Sequence, residues 1–172
     1  MTDSKPSVPP ITMANHFFEE VEVKVTPNFI PAPNLAQIQF QTTIWSTVYR
    51  DPNERIDNDK EDSNFILKML IKLPYPENRN ILMTGSFLVV GAFKVAKEFG
   101  KNDLDKALLV KSTGGSMVYG AAREFILQIT ARCNWDNRPL YIPTFPMDSI
   151  ANCPPIESII SKVEEKNLES ES

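Results

Sequence analysis

The residues from which most active sites are built are scarce in this chain. Among 172 residues there is one histidine, His16, and there are two cysteines, Cys133 and Cys153. A lone imidazole near the start of the chain offers no Ser-His or Cys-His pair to activate a nucleophile. Two widely separated cysteines make neither a metal knuckle nor a disulfide framework, so they read as reduced thiols of a reducing compartment. Glycine is also sparse, six in all. Its one cluster, Ser112-Thr113-Gly114-Gly115-Ser116, lacks the Lys-Ser/Thr pair of a phosphate-binding loop and reads as a helix break. There is no basic excess: 18 Lys and Arg stand against 22 Asp and Glu, a net charge of -4. That balance argues against nucleic acid as the main partner. Long apolar runs are missing too. The longest, Phe87 to Phe93, is strand-sized, so no direct membrane insertion is expected. The opening MTDSKPSVPP lacks the apolar core of a signal peptide, which predicts a cytoplasmic protein. The acidic run 51–64 gathers Asp57, Asp59, Glu61 and Asp62 but has no central Gly and no closing Glu at the EF-hand spacing. It reads as a solvated loop, and neither a metal nor a cofactor is expected.

What is present reads as one domain with tails: a disordered arm over 1–15, a folded unit over 16–165 and an acidic disordered tail over 166–172. Val21, Val23 and Val25 alternate with Glu22 and Lys24, the period of a strand with one wet face. Residues 37–50 form a second strand. One face carries Ile38, Phe40, Thr42, Ile44, Ser46 and Val48, and the more polar face carries Trp45 between Thr43 and Thr47. Residues 65–73 and 81–90 are nearly continuously apolar, which predicts strands covered on both faces. Gly91-Ala92-Phe93 is read as leaving the sheet, and Asn102 as opening a short helix.

The chain is organised around residues 114–150. After the Gly114-Gly115 break, Ser116 can cap a long helix. Val118, Ala122, Phe125, Ile126 and Ile129 then recur at helical spacing. Ala121 and Leu127 widen the stripe, so this helix is expected to be buried on two sides, by its own sheet and by a second helix or subunit. A Pro-rich segment follows, with Ile142, Phe145 and Met147. Ile156, Ile159 and Ile160 then give a one-sided helix entered through Pro154 and Pro155. The order predicts an α+β fold: a four-stranded antiparallel sheet followed by a long helix and a shorter C-terminal helix. Apolar loop residues exceed what a minimal domain needs, Phe29 and Ile30 among them. Broad aromatic and Met surface suits binding of unfolded polypeptides.

The run Tyr119-Gly120-Ala121-Ala122-Arg123-Glu124, then Thr130-Ala131-Arg132, then Pro139-Leu140-Tyr141-Ile142-Pro143 and Phe-Pro-Met-Asp resembles the C-terminal half of the SecB family of bacterial export chaperones. The resemblance implies an ATP-independent holdase, built as a dimer of dimers, that keeps unfolded or nascent polypeptides soluble or translocation-competent. Carried over by position, Phe29, Ile30, Phe145 and Met147 line the client groove with Ile156, Ile159 and Ile160. Trp45 joins them as an aromatic anchor. Val118, Ala122, Phe125, Ile126 and Ile129 belong to the oligomer interface. Export members dock on the SecA motor through acidic residues of the sheet. The matching positions here carry Thr26, Thr84 and Ser86, with only Glu22 keeping the sign, which argues against SecA as a partner. Members without export partners guard antitoxins of toxin–antitoxin systems, an alternative within the same class. Outside it stand a hot-dog-like enzyme, for which Glu124 is the carboxylate candidate, and a non-catalytic assembly module.

Overall fold

Strand β3 (Ser63–Lys72) shows how the apolar pattern becomes a layer. Its side chains alternate between the two faces of the sheet. Ser63, Phe65, Leu67, Met69 and Ile71 are buried under the helices, while Ile66, Lys68 and Leu70 on the other face are half-buried. The structure, a computed structural model, describes residues 9–25, 42–51, 62–73, 83–100, 102–133 and 142–157. Over these the order is β1 (Ile11–Val25), β2 (Thr43–Arg50), β3, β4 (Met83–Val95), α1 (Asp103–Leu109), a π-helical turn (Val110–Gly114), α2 (Gly115–Cys133) and α3 (Met147–Ala151). The strands form one antiparallel sheet in the order β1-β4-β3-β2. The expected α+β architecture, four antiparallel strands with a long helix and a short one, is the observed one.

Register assigns each residue to a face. Ser46 lies opposite Met69 and Met69 opposite Val89, all on the helix side. Trp45, Leu70, Leu88 and Glu20 make a row on the open side. The face assignments read from β2, β3 and β4 hold through the described residues. On the second face of β3 and β4, Thr84 and Val90 are buried while Ile66, Leu70 and Leu88 are half-buried.

Several expectations are corrected. β1 begins at Ile11, so residues 11–15 of the expected arm are strand. Two register shifts, between Met13 and Asn15 and between Phe18 and Glu20, put its alternation out of phase and hide it from a period-two reading. β4 does not stop at Gly91 but runs to Val95. Gly91 stays in the strand because a Cβ there would sit 2.6 Å from Val118 Cγ2. Gly114 and Gly115 do not break the helix. They lie inside one continuous helical run from α1 to α2, and Gly115 has ordinary helical angles. Their absent side chains serve close packing, since a Cβ on Gly115 would stand 2.7 Å from Ile150 Cγ2. Ser116 therefore caps nothing; its Oγ donates to the Ser112 carbonyl at 3.0 Å. Ser112 Oγ in turn donates to the carbonyls of Leu108 (3.0 Å) and Leu109 (3.3 Å), satisfying acceptors at the π turn. Asn102 caps α1 as read, its Oδ1 accepting from Asp105 N at 2.9 Å.

The buried stripe of α2 is Val118, Ala122, Ile126 and Thr130, every fourth residue, all fully buried on the sheet. The assignment of Val118, Ala122 and Ile126 to an oligomer interface is corrected by this. They are covered by their own chain and have no surface left to offer a partner. Phe125 and Ile129, on the flank, are half-buried. Phe125 stacks on Phe18 of β1 with ring centroids 3.9 Å apart and an interplanar angle of 26°.

Candidate functional site

After α2 the chain returns as a proline-rich segment, and α2 holds it by its backbone. Tyr119 Oη donates to the Pro143 carbonyl at 2.6 Å, and Arg123 Nε donates to the Ile142 carbonyl at 3.1 Å. Proline has no N–H to offer in return, so carbonyls are the groups to grip. Ile142 is buried between them. Burial pushes the Tyr119 phenol up to about 12, against the smaller opposing effect of the Arg123 charge, so Tyr119 remains a neutral donor. Its ring meets Phe145 edge-on, with centroids 5.4 Å apart. These contacts give Tyr119 and Arg123 of the SecB-like run a definite role: they fix the path of the segment that displays Phe145.

Pro146 then enters α3, whose Met147 is 48% exposed while Ile150 is buried. The Met147 thioether accepts from Thr113 Oγ1 at 3.9 Å, at the π turn. Ile150 fits against Gly115, where Leu67 and Met69 of β3 also approach. The expected loop before the last helix is thus partly helical, with Met147 exposed and Ile150 buried.

Residues 153–157 wrap around the edge of the sheet. Cys153 packs against the core on the helix side, and burial pushes its thiol up. Pro154 reaches the edge of β2, where its carbonyl accepts from Ser46 N at 3.0 Å. Beyond it Ile156 N donates to Thr47 Oγ1 at 3.0 Å. Glu157 lies on the open face, its carboxylate accepting from Thr47 Oγ1 at 2.8 Å and from the Tyr49 hydroxyl. The Tyr49 bond, the Glu157 backbone and Thr47 hold the Glu157 carboxyl below the usual carboxylate range. The same contact pushes the Tyr49 phenol up. No local sequence signal marks this clamp, since its partners lie 108 and 110 residues apart.

Phe145 and Met147 therefore come together on the helix side, Phe145 half-buried and Met147 exposed. Ile156 is half-buried at the turn around β2. Trp45 lies on the opposite sheet face, half-buried, with Lys72 Nζ 5.6 Å from its ring centroid. The sheet separates it from Phe145, and, among the described residues, 153–157 run between the two places. Phe29, Ile30, Ile159 and Ile160 lie outside the described residues, as does Thr26. Of the other sheet positions read against SecA, Glu22 and Ser86 are paired on the open face. Thr84 is buried on that face, and the Glu22 carboxyl is held low by Lys24 at 2.7 Å. Glu124, the enzyme candidate, is exposed and meets Gln128 Nε2 at 3.5 Å. Among the described residues no group of three or more His, Cys, Asp or Glu could hold a metal ion, and no helix is long and apolar enough to cross a membrane.

Comparison with known proteins rests on shape. No protein-family model matches the sequence, and no curated protein matches it. Among solved structures the chain is similar to the SecB-like chaperone Rv1957 of Mycobacterium tuberculosis, captured with a ChAD peptide from the HigA1 antitoxin. That match has a TM-score of 0.51 and 15% identity, and covers 79% of this chain and 91% of the other. A protein of unknown function from Streptococcus agalactiae matches with a TM-score of 0.50 and 10% identity, over 78% of this chain and 97% of the other. At these identities the likeness is one of fold.

Proposed function

We propose that this chain is an ATP-independent holdase that binds unfolded polypeptides on the apolar surface displayed by residues 142–157. The observation that supports it is the Phe145–Met147 display. Two hydrogen bonds from α2 fix the backbone just ahead of it, at Ile142 and Pro143, while Met147 is presented to solvent rather than to the core. A rigid path carrying adaptable aromatic and thioether side chains suits a binder with little sequence demand. The shared fold of a SecB-like chaperone holding an antitoxin peptide adds to it. That neighbour favours a second, narrower reading, a dedicated chaperone of an antitoxin, over a general export role through SecA. The proposed assembly is a dimer of dimers. With Val118, Ala122 and Ile126 in the core, Phe125 and Ile129 remain of the expected interface set to meet another copy. The proposed place of action is the cytoplasm.

Light scattering of an aggregating, chemically unfolded protein tests this, with the chain titrated in without nucleotide and its native mass read on the same sample. Suppression near stoichiometric amounts is expected. Met147→Asp should weaken it while leaving native mass and helix content unchanged, because Met147 is already exposed. Full suppression by Met147→Asp would remove α3 from the site, and no suppression by the unaltered chain would overturn the holdase reading.

A further inference from the structure

The outer edge of β2 carries a row of backbone donors and acceptors. Ser46 N–H points away from β3, and by the two-residue period of a strand the N–H and C=O groups of Ile44 and Val48 point the same way. Residues 153–157 lie across this row without forming a ladder on it. Of their backbone, the Pro154 carbonyl accepts from Ser46 N and the Ile156 N–H donates to the Thr47 hydroxyl. Pro154 and Pro155 have no N–H, so neither can donate to the outward carbonyls of β2. The hydroxyl of Ser46, buried beneath, has no partner among the described residues. On the solvent-facing side the segment is held by a side-chain clamp, Glu157 bridging the hydroxyls of Thr47 and Tyr49.

We propose that residues 153–157 are a releasable cover, clamped by Glu157, that competes with an extended polypeptide for the outer edge of β2. The inference rests on the holdase reading and deepens it by naming the edge and its guard. A cover whose two prolines return no N–H protects the edge from casual pairing. An extended client made of ordinary residues supplies both donors and acceptors, so it forms the ladder the prolines cannot. Release also links the two apolar places the sheet keeps apart, because the cover lies between Phe145 on one face and Trp45 on the other.

The test uses the full chain and the Glu157→Ala and Glu157→Gln variants. Two readouts are made: amide hydrogen exchange across β2, and affinity for a fluorescently labelled, reduced and carboxymethylated protein that cannot fold. In Glu157→Ala, exchange at Ser46 should rise and the probe should bind about tenfold tighter, the gain for a cover otherwise open about a tenth of the time. Glu157→Gln keeps an acceptor for the hydroxyls and should fall between. Unchanged exchange in Glu157→Ala would show that Glu157 does not hold the cover. Raised exchange with unchanged or weaker binding would show that the cover does not compete. Either overturns the inference while leaving the holdase reading intact. Failure of both the unaltered chain and Glu157→Ala to bind the probe overturns the holdase reading and the competition with it.

Discussion

The outer edges of β1 and β2 belong to one sheet and present the same kind of backbone row, yet they are protected by different means. Along β2 the edge is crossed by residues 153–157, and Arg50 at its end is ion-paired to Asp103 of α1. Along β1, among the described residues, the protection is in the strand itself. Two bulges interrupt its register, and Glu19, Glu20, Glu22 and Lys24 line it with charge. The cost of the second solution is exposed apolar surface. Phe17, Val21 and Val25 of β1 are about half exposed, at 53%, 42% and 55%, although Val21 and Val25 share the helix-side face. A covered edge can keep its apolar neighbours dry but needs a separate segment to do it; a self-protected edge needs no partner and leaves its apolar residues wet.

Ile150 anchors α3 just ahead of the cover and is fully buried. Ile150→Ala should lower stability by about 3 kcal/mol, the usual scale for truncating a core Ile. A fall in the urea midpoint together with faster exchange in β2 checks it, and an effect confined to β1 would reverse the comparison. On the β1 side the corresponding anchor is the Phe18–Phe125 stack. Phe18 is only half-buried, so Phe18→Ala should cost less, about 2 kcal/mol from area and ring contact together. Faster exchange should then appear in β1 and leave β2 protected.

Acid should separate the two edges without any substitution. The Glu157 carboxyl titrates below its ordinary value in the folded chain, so its contribution to the clamp is complete above the ordinary carboxylate pKa. It is lost as pH falls through the lowered value. The Tyr49 phenol is raised, so its contribution holds below the ordinary phenol pKa and fades as pH rises through the raised one. Exchange in β2 near Ser46 should therefore be slowest at neutral pH, once corrected for the intrinsic rate, and faster at both extremes; a flat corrected profile would count against the clamp. The smallest effect belongs to the surface pair Lys68–Glu19 at 2.8 Å, which ties the β1 bulge to the open face. A double-mutant cycle with Lys68→Ala and Glu19→Ala should give a coupling under about 1 kcal/mol, since both groups are well exposed.

The face assignments of β2, β3 and β4 were legible in the sequence because burial on one side leaves a period of two. The α2 stripe was legible because Val118, Ala122 and Ile126 are held against a sheet at helical spacing. The start of β1 was not, because its bulges shift the phase between Ile11 and Val21. Gly114 and Gly115 misled, because a glycine that makes room for Ile150 looks in sequence like one that ends a helix. Of the candidate site, Phe145 and Met147 stood out as apolar residues in a proline-rich run. The clamp of Glu157 on Thr47 and Tyr49 left no trace, since ordinary polar residues far apart in the chain acquire meaning only once the fold brings them together.

The π turn at Val110–Gly114 has a consequence for how the length of this chain can change. Val110, Gly114, Val118, Ala122, Ile126 and Thr130 are all buried, a row of every fourth residue. In a regular α-helix each such step overshoots a full turn by about 40°, so a long row winds off the sheet. The wider π turn takes back part of that drift. It behaves as an accommodated insertion, one residue more than a regular helix would hold. Deleting a residue among Lys111, Ser112 and Thr113 would return the turn to α-helix and leave α1, with its Asn102 cap and its Asp103 ion pair, close to its present phase. Deleting one anywhere between Val118 and Thr130 would turn part of the core row to solvent. Gain and loss of single residues should therefore be tolerated at the π turn and refused one helical turn later.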